Sequence, residues 1–353
     1  MYDYLIIGQG ISGSWLSYFL QKEGKSVLVI DKQTEFASSS IAAGVINPVT
    51  GRRHVTAWLA EQVMHFAWES YSKAGQELDI VAISHKNIID FFPSPQMLDS
   101  FRQRVLEENK YVHSYPEQNQ FNPYFNYVFG CGEIRPVYIA HLETFLPAWR
   151  KRLIESDSLL EEEFDLRLLE LKSDSVSYKG LTASTIIFCD GQSSASNPWF
   201  DLLPFAPNKG ELMILEIEDL PAQHIYKQGM MLVPLAAENQ WWIGSSYAWK
   251  FNNDLPTEDF KNKTESFLKY WLKIPFKILS HKAGIRPATL ERRPFVGRHP
   301  SQKNIAILNG MGTKGCSLAP YFAKQLADNL IYDLPIHAEA DVNRFRRVLS
   351  KKY

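Results

Sequence analysis

The sequence contains few cysteines, no long apolar run and no excess of charge of either sign. Its three cysteines, Cys131, Cys189 and Cys316, are odd in number and far apart. This argues against a disulfide framework and favours a reducing compartment, by default the cytoplasm. A run of about eighteen apolar residues, which a membrane-spanning helix needs, does not occur. We therefore expect a cytoplasmic protein that does not act in a membrane.

Other common partners are also disfavoured by what the sequence lacks. Thirty-eight basic residues against thirty-nine acidic ones leave a formal charge of −1, so no global field draws the chain to nucleic acid. The nine histidines show no pair at helical metal spacing and no Cys-x-x-Cys occurs, so we expect no metal site. Two basic clusters, Arg52-Arg53-His54 and Arg344 to Lys352, are interpreted as solvated faces rather than an RNA-binding surface.

The order of apolar patterns predicts the fold class. A length of 353 residues predicts more than one compact unit, at roughly 150 residues each. Apolar runs at Tyr4 to Ile7 and Val27 to Ile30 flank a helical rhythm from Ser12 to Lys22. Later apolar runs between residues 211 and 246 are separated by a turn signal and predict antiparallel strands. The sequence thus predicts an α/β, Rossmann-like domain interrupted by an antiparallel-sheet α+β domain.

The segment Gly8-Gln9-Gly10-Ile11-Ser12-Gly13 matches the Gly-x-Gly-x-x-Gly pattern between the first strand and the first helix. Gly8 allows the tight turn, Gly10 lets the backbone approach a pyrophosphate, and Gly13 permits close packing of helix on strand. Asp31 ends the second strand, where its carboxylate can accept hydrogen bonds from both hydroxyls of an adenosine ribose. These features predict a dinucleotide site without distinguishing FAD from NAD.

A second glycine-rich segment, Asn309 to Gly315, precedes the last predicted helix. Two-electron reduction of a flavin places negative charge along N1 and C2=O of its ring. A glycine-rich helix N-terminus with a lysine is suited to stabilise that charge. The segment therefore favours a flavin, with Lys314 as the stabilising cation; a surface lysine on a solvated loop is the alternative.

Four motifs make the chain similar to the D-amino-acid oxidase family of FAD enzymes, which includes glycine oxidase and sarcosine oxidase. They are Gly8–Gly13, Ala42–Gly44, Gly284–Pro287 with Pro294–Gly297, and Gly310–Gly315. The last motif also resembles the oxidase half of the bifunctional enzyme that matures 5-methylaminomethyl-2-thiouridine in tRNA. With the strand pattern, the resemblance implies a discontinuous FAD-binding domain (1–80, 138–204 and 285–353) and a substrate domain (81–137 and 205–284).

The resemblance implies that FAD is held by both glycine turns, by residues after the second strand, by the segment from Ser38 to Gly44 and by a strand ending at Gly191. The residues expected to hold it are Gly8, Gly10, Ile11, Ser12, Gly13, Asp31, Lys32, Ser39, Ser40, Ala43, Gly44, Gly191, Gly310, Gly312, Thr313, Lys314 and Gly315. Cys316 is interpreted as a buried packing residue rather than as a covalent link to the flavin.

Arg286, Lys314 and Tyr247 are the predicted catalytic residues. Arg286 precedes a proline, which favours extended backbone and presents a rigid guanidinium fork to a substrate carboxylate. An ordinary ion pair with Glu291 is the alternative. Met231 stands where relatives often carry an active-site tyrosine, and Tyr247 on the partner strand is expected to point into the same space. A strand pair that is simply core is an equally open interpretation.

The resemblance implies oxidation of the C–N bond of an amino acid or N-substituted glycine by hydride transfer to flavin N5. The imine product would hydrolyse outside the site, and dioxygen or another acceptor would reoxidise the flavin. Two alternatives stay open. One is the same chemistry on a carboxymethylaminomethyl group of tRNA uridine, and the other is a flavin-binding module without turnover, for which Met231 is the hint.

Overall fold

The computed structural model describes residues 1–34, 37–107 and 110–351. The helices are α1 (Ile11–Lys22), α2 (Ala60–Leu78), α3 (Pro95–Leu106), α4 (Leu142–Glu155), α5 (Glu258–Trp271), α6 (Gly315–Tyr332) and α7 (Arg346–Leu349), with 3₁₀ turns at Leu166–Leu168, Gly191–Ser196, Gly312–Lys314 and Val342–Phe345.

The strands before residue 200 are β1 (Tyr2–Ile7), β2 (Val27–Ile30), β3 (Val45–Ile46), β4 (Val49–Thr50), β5 (Val55–Thr56), β6 (Ile83–His85), β7 (Ile88–Phe91), β8 (Val112–Ser114), β9 (Cys131–Ile134), β10 (Tyr138–Ala140), β11 (Leu159–Leu160), β12 (Leu169–Leu171), β13 (Val176–Tyr178) and β14 (Leu181–Phe188). The later strands are β15 (Asn208–Glu216), β16 (Ile225–Gln228), β17 (Met230–Pro234), β18 (Gln240–Gly244), β19 (Lys277–Arg286), β20 (Phe295–His299) and β21 (Gln302–Asn309).

The first large sheet has a parallel core. Its strands run in the order β11-β2-β1-β14-β21, all parallel, and β12, β13 and β20 add antiparallel strands. The four residues of β2 and the last four of β1 and β14 are all buried, as expected for a parallel sheet covered on both faces. Because parallel strands share a direction, their carboxyl ends meet at one edge, where ligands of such folds bind.

Helices α1 and α6 pack against each other on one face of this sheet. Trp15 and Leu16 of α1 and Phe322 and Leu326 of α6 are fully buried in the same apolar cluster. The close approach of α1 to β1 requires glycine at position 13, because a Cβ there would overlap the carbonyl of Gly8. The first and the last parts of the chain therefore build one layer together.

The second large sheet runs β19-β15-β18-β17-β16-β7-β9-β8 and is antiparallel except between β16 and β7. One face carries Trp241 and Ile243 and packs under α5 against Trp271. The other face carries Leu212 and Trp242 and packs against the segment from residue 41 to residue 60. We call this second face the inner face, because it packs against the segment that lies between the parallel-sheet strand β2 and helix α2.

A buried charge cluster joins the inner face to the segment that precedes α2. The Asp90 carboxylate lies 2.8 Å from His54 Nε2 and 2.6 Å from Lys227 Nζ, and the side chains of Asp90 and His54 are fully buried. Burial alone would raise the pKa of Asp90, but Lys227 and His54 outweigh it and hold that pKa below its usual value.

The predicted combination of a parallel core with an inserted antiparallel sheet agrees with the structure. The region from residue 80 to residue 136, in which periodicity was weak, supplies β7, β8 and β9 to the second sheet. Helical periodicity in the sequence predicts one helix from Ala57 to about Leu78 and a last helix from about Leu318 to Ile331. The structure differs at both starts, since α2 begins at Ala60 and α6 begins at Gly315. The earlier start of α6 makes Lys314 its N-cap residue.

Candidate active site

The carboxyl ends of four parallel strands bring predicted cofactor residues to one edge of the sheet. Gly8 follows β1 and Asp31 follows β2, while Gly191 and Gly310 come shortly after the neighbouring strands β14 and β21. Residues far apart in the chain thus share one crevice, as expected for a dinucleotide at the end of a parallel sheet.

The opening glycine turn leaves a helix N-terminus free. Gly10 is the N-cap of α1 and has no side chain of its own to cap the helix, and the first turn contains no acidic residue. Gly8 has a φ of +95°, which favours glycine, and a Cβ there would lie 2.7 Å from the Cys189 carbonyl oxygen. The N–H of Ile11 donates to Ser39 Oγ at 3.1 Å, which places the serine segment beside the turn. Free N–H groups at a helix N-terminus are suited to a diphosphate.

The N-terminus of α6 lies next to that of α1. It also lacks a side-chain cap and has no acidic residue in its first turn. A Cβ on Gly315 would lie 3.4 Å from Ile11 Cγ2, so the two helix starts are in contact. Both positive dipole ends therefore point into the same crevice and favour an anion there.

Lys314 adds a full positive charge to this crevice. The side chain is half-buried and has no carboxylate within 4.0 Å among the described residues. Burial, together with the nearby positive charges of Arg293 and Arg292, lowers the pKa of Lys314 to about 8. A cation at the N-cap of α6, without a carboxylate partner among the described residues, fits a negatively charged cofactor such as FAD.

Asn309 holds the closing loop to the neighbouring strand end. Its Nδ2 donates to the Gly191 carbonyl at 2.8 Å and to Ser194 Oγ at 2.7 Å, and its Oδ1 accepts the Gly310 N–H at 2.8 Å. The Ser194 hydroxyl in turn donates to the Asp190 carboxylate, whose pKa burial raises to about 6. Asn309 was not predicted as a site residue, although it is the last residue of β21 and directly precedes a glycine.

Asp31 lies where it was expected but is already strongly engaged. One carboxylate oxygen accepts the Gln9 N–H at 2.9 Å, and the other accepts the Gln33 N–H and an Arg150 guanidinium N–H, each at 2.8 Å. Arg150 also binds Glu161 at 2.8 Å. A carboxylate has roughly four acceptor positions, so about one stays available to a ribose hydroxyl. Arg150 was not anticipated from the sequence.

The remaining predicted cofactor residues differ in how closely they approach the crevice. The Lys32 ammonium is paired with Glu163 at 2.7 Å on the surface. Gly44, with a φ of +73°, lies against Ala140 where β3 pairs with β10. The side chains of Ser40 and Thr313 are exposed, Ser12 is buried in the first turn of α1, and Ala43 packs beside the inner face.

Arg286 ends β19 with its guanidinium fixed by neutral groups. It donates to Asn208 Oδ1 at 2.7 Å, to Ser245 Oγ at 2.8 Å and to the Ser246 carbonyl at 3.3 Å. Gly210 leaves space for it, since a Cβ there would overlap the guanidinium. Burial lowers the pKa of Arg286 from its ordinary value, and within the described residues no carboxylate lies within salt-bridge distance.

Two observations extend the site around Arg286. The Asn208 amide nitrogen is buried and has no hydrogen-bond partner in the described part of the chain. The N–H of Gly312 donates to the Pro287 carbonyl at 3.1 Å, which ties the end of β19 to the closing glycine loop. This hydrogen bond therefore links the end of β19, next to Arg286, to the cofactor loop that carries Lys314. Asn208 was missed because only sheet pairing brings it to Arg286.

The alternative partner for Arg286, Glu291, binds another residue. Its carboxylate lies 3.3 Å from Arg344 Nε. Arg344 also donates to the Pro294 carbonyl and lies over the Phe295 ring. This arginine of the second basic cluster is thus occupied within the chain; Lys352, at the end of that cluster, lies outside the described residues. In the first cluster, His54 is buried against Asp90.

Tyr247 lies beside the arginine, with the Arg286 guanidinium 5.7 Å from its ring centre. Met231 faces Gly244 across the β17–β18 pair and is partly buried on the inner face. The position at which the family resemblance implied a tyrosine therefore presents a thioether, and Tyr247 approaches Arg286 from the segment that follows β18.

Comparison with known proteins agrees with this geometry. A family model described as FAD dependent oxidoreductase matches residues 3–329 of the chain. The chain belongs to this FAD-dependent oxidoreductase family. It is similar to glycine oxidase of Bacillus subtilis (strain 168), with 24% identity over 352 residues, covering 93% of this chain and 92% of the relative.

Solved structures show the same fold for this FAD-dependent oxidoreductase. The glycine oxidase from Geobacillus kaustophilus matches with a TM-score of 0.77 and 19% identity, covering 95% of each chain. The iminodiacetate oxidase from Chelativorans sp. BNC1 matches with a TM-score of 0.78 and 18% identity, covering 95% of this chain and 97% of that chain. The predicted family, fold class and cofactor FAD are thereby confirmed.

Three further properties of this FAD-dependent oxidoreductase concern Cys316, metal-binding side chains and membrane-spanning helices. Cys316 is buried in the α1–α6 layer, and burial raises its pKa to about 12, as expected for a packing residue. Among the described residues, no group of His, Cys, Asp and Glu side chains is arranged to hold a metal ion. No helix in the described part of the chain is both long enough and apolar enough to cross a membrane.

Proposed function

We propose that this enzyme oxidises the C–N bond of an amino acid or an N-substituted glycine. The observation that carries the proposal is Arg286, a partly buried guanidinium without a carboxylate partner among the described residues, joined through Pro287 and Gly312 to the cofactor loop. A substrate carboxylate would displace the two 3.3 Å contacts of the guanidinium with the Ser246 carbonyl and accept two parallel hydrogen bonds in their place. The relatives named as glycine oxidase and iminodiacetate oxidase, whose named substrates carry both an amine and a carboxylate, support the same assignment.

The chain's own residues divide the work of binding and orientation. The glycine turns at Gly8–Gly13 and Gly310–Gly315 would hold FAD, and when bound it supplies the two-electron acceptor for the oxidation. Arg286 fixes the substrate carboxylate, and the orphaned amide nitrogen of Asn208 lies beside it as a further donor. Lys314 stabilises negative charge in the cofactor crevice. Tyr247 closes the space next to Arg286.

We propose dioxygen as the electron acceptor and the cytoplasm as the location. The acceptor is suggested by relatives that are named oxidases. The location is supported by Cys131, Cys189 and Cys316, all of which are buried free thiols. Formation of hydrogen peroxide in step with amine consumption tests the acceptor; turnover that requires an added dye or quinone would contradict it.

We also propose that the functional division follows residues 1–80, 138–204 and 285–353 for the cofactor and 81–137 and 205–284 for the substrate. The parallel sheet draws its strands from the first set, and the second sheet draws its strands from 81–137 and from residue 208 to Arg286. Arg286 lies at the boundary, which lets one residue serve the substrate while its neighbour contacts the cofactor loop.

The deciding experiment is anaerobic mixing of the FAD-loaded protein with glycine, sarcosine, iminodiacetate and D- and L-amino acids. We expect at least one of them to remove the visible flavin absorbance. Arg286→Lys should raise KM for that substrate about tenfold to a hundredfold with a smaller effect on kcat, because one bidentate contact is worth about 1–3 kcal/mol.

Arg298→Lys is the matched control, because Arg298 is also partly buried but binds backbone carbonyls away from the crevice. It should change neither constant by more than about twofold. If none of the compounds removes the flavin colour, the proposal is contradicted and a flavin-binding module without turnover is favoured. Loss of colour only with tRNA bearing a carboxymethylaminomethyl group would transfer the same chemistry to RNA.

A further inference from the structure

The segment that follows β18 carries two exposed aromatic rings, Tyr247 and Trp249, next to the arginine proposed to bind the substrate carboxylate. Tyr247 and Trp249 each leave 49% of their surface exposed, and their ring centres are 5.2 Å apart in an edge-to-face arrangement. Resting on the proposed function, we propose that they form an aromatic platform for a planar ring carried by the amino-acid substrate. The substrate class is then an amino acid with an aromatic substituent.

Sheet geometry places the platform beside Arg286. Lys209 pairs with Ala248, which sets Trp249 opposite Asn208, and Asn208 pairs on its other side with Arg286. Directly paired residues of neighbouring strands point to the same face, and residues two apart in a strand do so as well. Tyr247 and Trp249 flank the isolated bridge at Ala248, and the contact of Tyr247 with Arg286 and of Trp249 with Tyr247 places both rings beside Arg286, where Asn208 accepts a hydrogen bond from the guanidinium.

The charge and the shape of this place select the occupant. Arg286 has no carboxylate partner in the described chain, so the ligand's charged end is anionic. The Tyr247 ring lies 5.7 Å from the guanidinium and the Trp249 ring follows it, so a flat apolar group attached close to that anion is in reach of both. Exposed aromatic pairs of this kind bind planar rings through stacking and edge-to-face contacts.

Binding of matched carboxylates tests the platform without requiring turnover. Acetate and phenylacetate are titrated into the FAD-loaded protein, and binding is followed by the visible flavin spectrum and by tryptophan fluorescence. We expect phenylacetate to bind about tenfold more tightly than acetate, as an aromatic contact plus buried ring area predicts. Trp249→Ala should reduce this ratio to near one, while Trp249→Phe should retain most of it.

Tyr270→Ala is the matched control, since Tyr270 is exposed on α5, on the opposite side of the sheet. It should leave the phenylacetate-to-acetate ratio as it is. An equal affinity of the unmodified protein for both acids, or a ratio that survives Trp249→Ala, would overturn the platform. If Trp249→Ala does not fold, the ratio in the unmodified protein and in Trp249→Phe still decides.

A second experiment identifies where on the substrate the aromatic ring is attached. It compares N-benzylglycine, D-phenylalanine and L-phenylalanine as reductants of the flavin. The one with the largest kcat/KM relative to sarcosine identifies the geometry, and Trp249→Ala should reduce that preference about tenfold. Reduction of the flavin by sarcosine with no preference for any ring would refute the platform while leaving the proposed function intact. Selective phenylacetate binding without reduction of the flavin by any amine would support the platform and contradict the proposed function.

Discussion

A half-buried lysine without a counter-ion is an energetic cost to the empty site and an advantage when an anion binds. Lys314 has its pKa lowered to about 8, first by burial and then by the charges of Arg293 and Arg292. Bound FAD reverses this balance because its diphosphate, and its ring once reduced, carry negative charge. The ammonium then becomes the partner that the crevice otherwise lacks.

Replacement of Lys314 should make the flavin harder to reduce. We expect Lys314→Met to lower the two-electron midpoint potential by roughly 30 mV, equivalent to about 1.4 kcal/mol, through the loss of one positive charge near the reduced ring. Reduction should also raise the pKa of Lys314. The midpoint potential of the unmodified enzyme should therefore fall more steeply with pH above the pKa of Lys314 in the oxidised, FAD-loaded enzyme, where reduction takes up a proton. Bound FAD raises that pKa from the value of about 8 in the empty site, and the variant should lack this change of slope.

Spectroelectrochemical titration between pH 6 and about pH 10 measures both effects. Lys22→Met is the control, because Lys22 forms a surface pair with Glu77 at the far end of α1. A potential for Lys314→Met equal to that of the unmodified enzyme would exclude a role in charge stabilisation and return Lys314 to the solvated-loop interpretation.

The closing loop shows how one side chain positions a whole element. Asn309 binds Gly191, Ser194 and Gly310, and so connects the end of β21 to the 3₁₀ turn after β14. Its amide donates two hydrogen bonds and accepts a third, which an apolar residue cannot do and a hydroxyl, with a single donor, cannot reproduce. The position of Gly310–Gly315, and with it the position of the N-terminus of α6, depends on this connection.

We expect Asn309→Ala to raise the dissociation constant for FAD by about tenfold or more. The buried N–H of Gly310 and the carbonyl of Gly191 would lose their partner, at a cost of about 1–3 kcal/mol for each unsatisfied group. Fluorescence titration of the apoprotein with FAD measures the change. Asn329→Ala is the control at the other end of α6, where the side chain binds the Leu334 carbonyl at the surface. Equal FAD affinity in both variants would contradict the clamp.

The elements that could be predicted from the sequence are those whose signals are contiguous. The β1–α1–β2 unit and the loop before α6 each consist of neighbouring residues with a fixed spacing, so pattern alone located them. Asn208 and Ser245 could not be found in this way. They lie 78 and 41 residues from Arg286 in the chain, and only the pairing of β15 with β19 and β18 brings them to it. A sequence pattern contains no information on that pairing.

At the scale of the whole molecule, the buried cluster of Asp90, His54 and Lys227 connects the second sheet to the segment that precedes α2. His54 belongs to the segment before α2, whereas Asp90 and Lys227 are paired neighbours in β7 and β16. The basic residues around His54 suggested a solvated face, but the structure buries the histidine because a carboxylate from a distant strand compensates for it. Long-range compensation of this kind is invisible in local composition.

We expect Asp90→Asn to lower the free energy of unfolding by about 3 kcal/mol or more. Removal of the carboxylate leaves the Lys227 ammonium without its counter-charge in a largely buried setting, which is far more costly than loss of a surface pair. Urea unfolding of the FAD-free protein at pH 7 measures this. Glu265→Gln, which removes a surface pair with Lys269, should change the same quantity by less than about 1 kcal/mol. Comparable losses in both variants would show that the cluster is energetically a surface pair.

The contact between α1 and α6 has a consequence for biosynthesis. Ribosomes release a polypeptide from its N-terminus, so α1 is complete long before residue 332 emerges. Throughout that interval the nascent chain has only one of the two helix starts that flank the crevice. The apolar side of α1 around Trp15 and Leu16 is not yet covered by α6. Both helix starts can therefore contact FAD only after α6 has emerged, so the complete crevice forms at the end of synthesis.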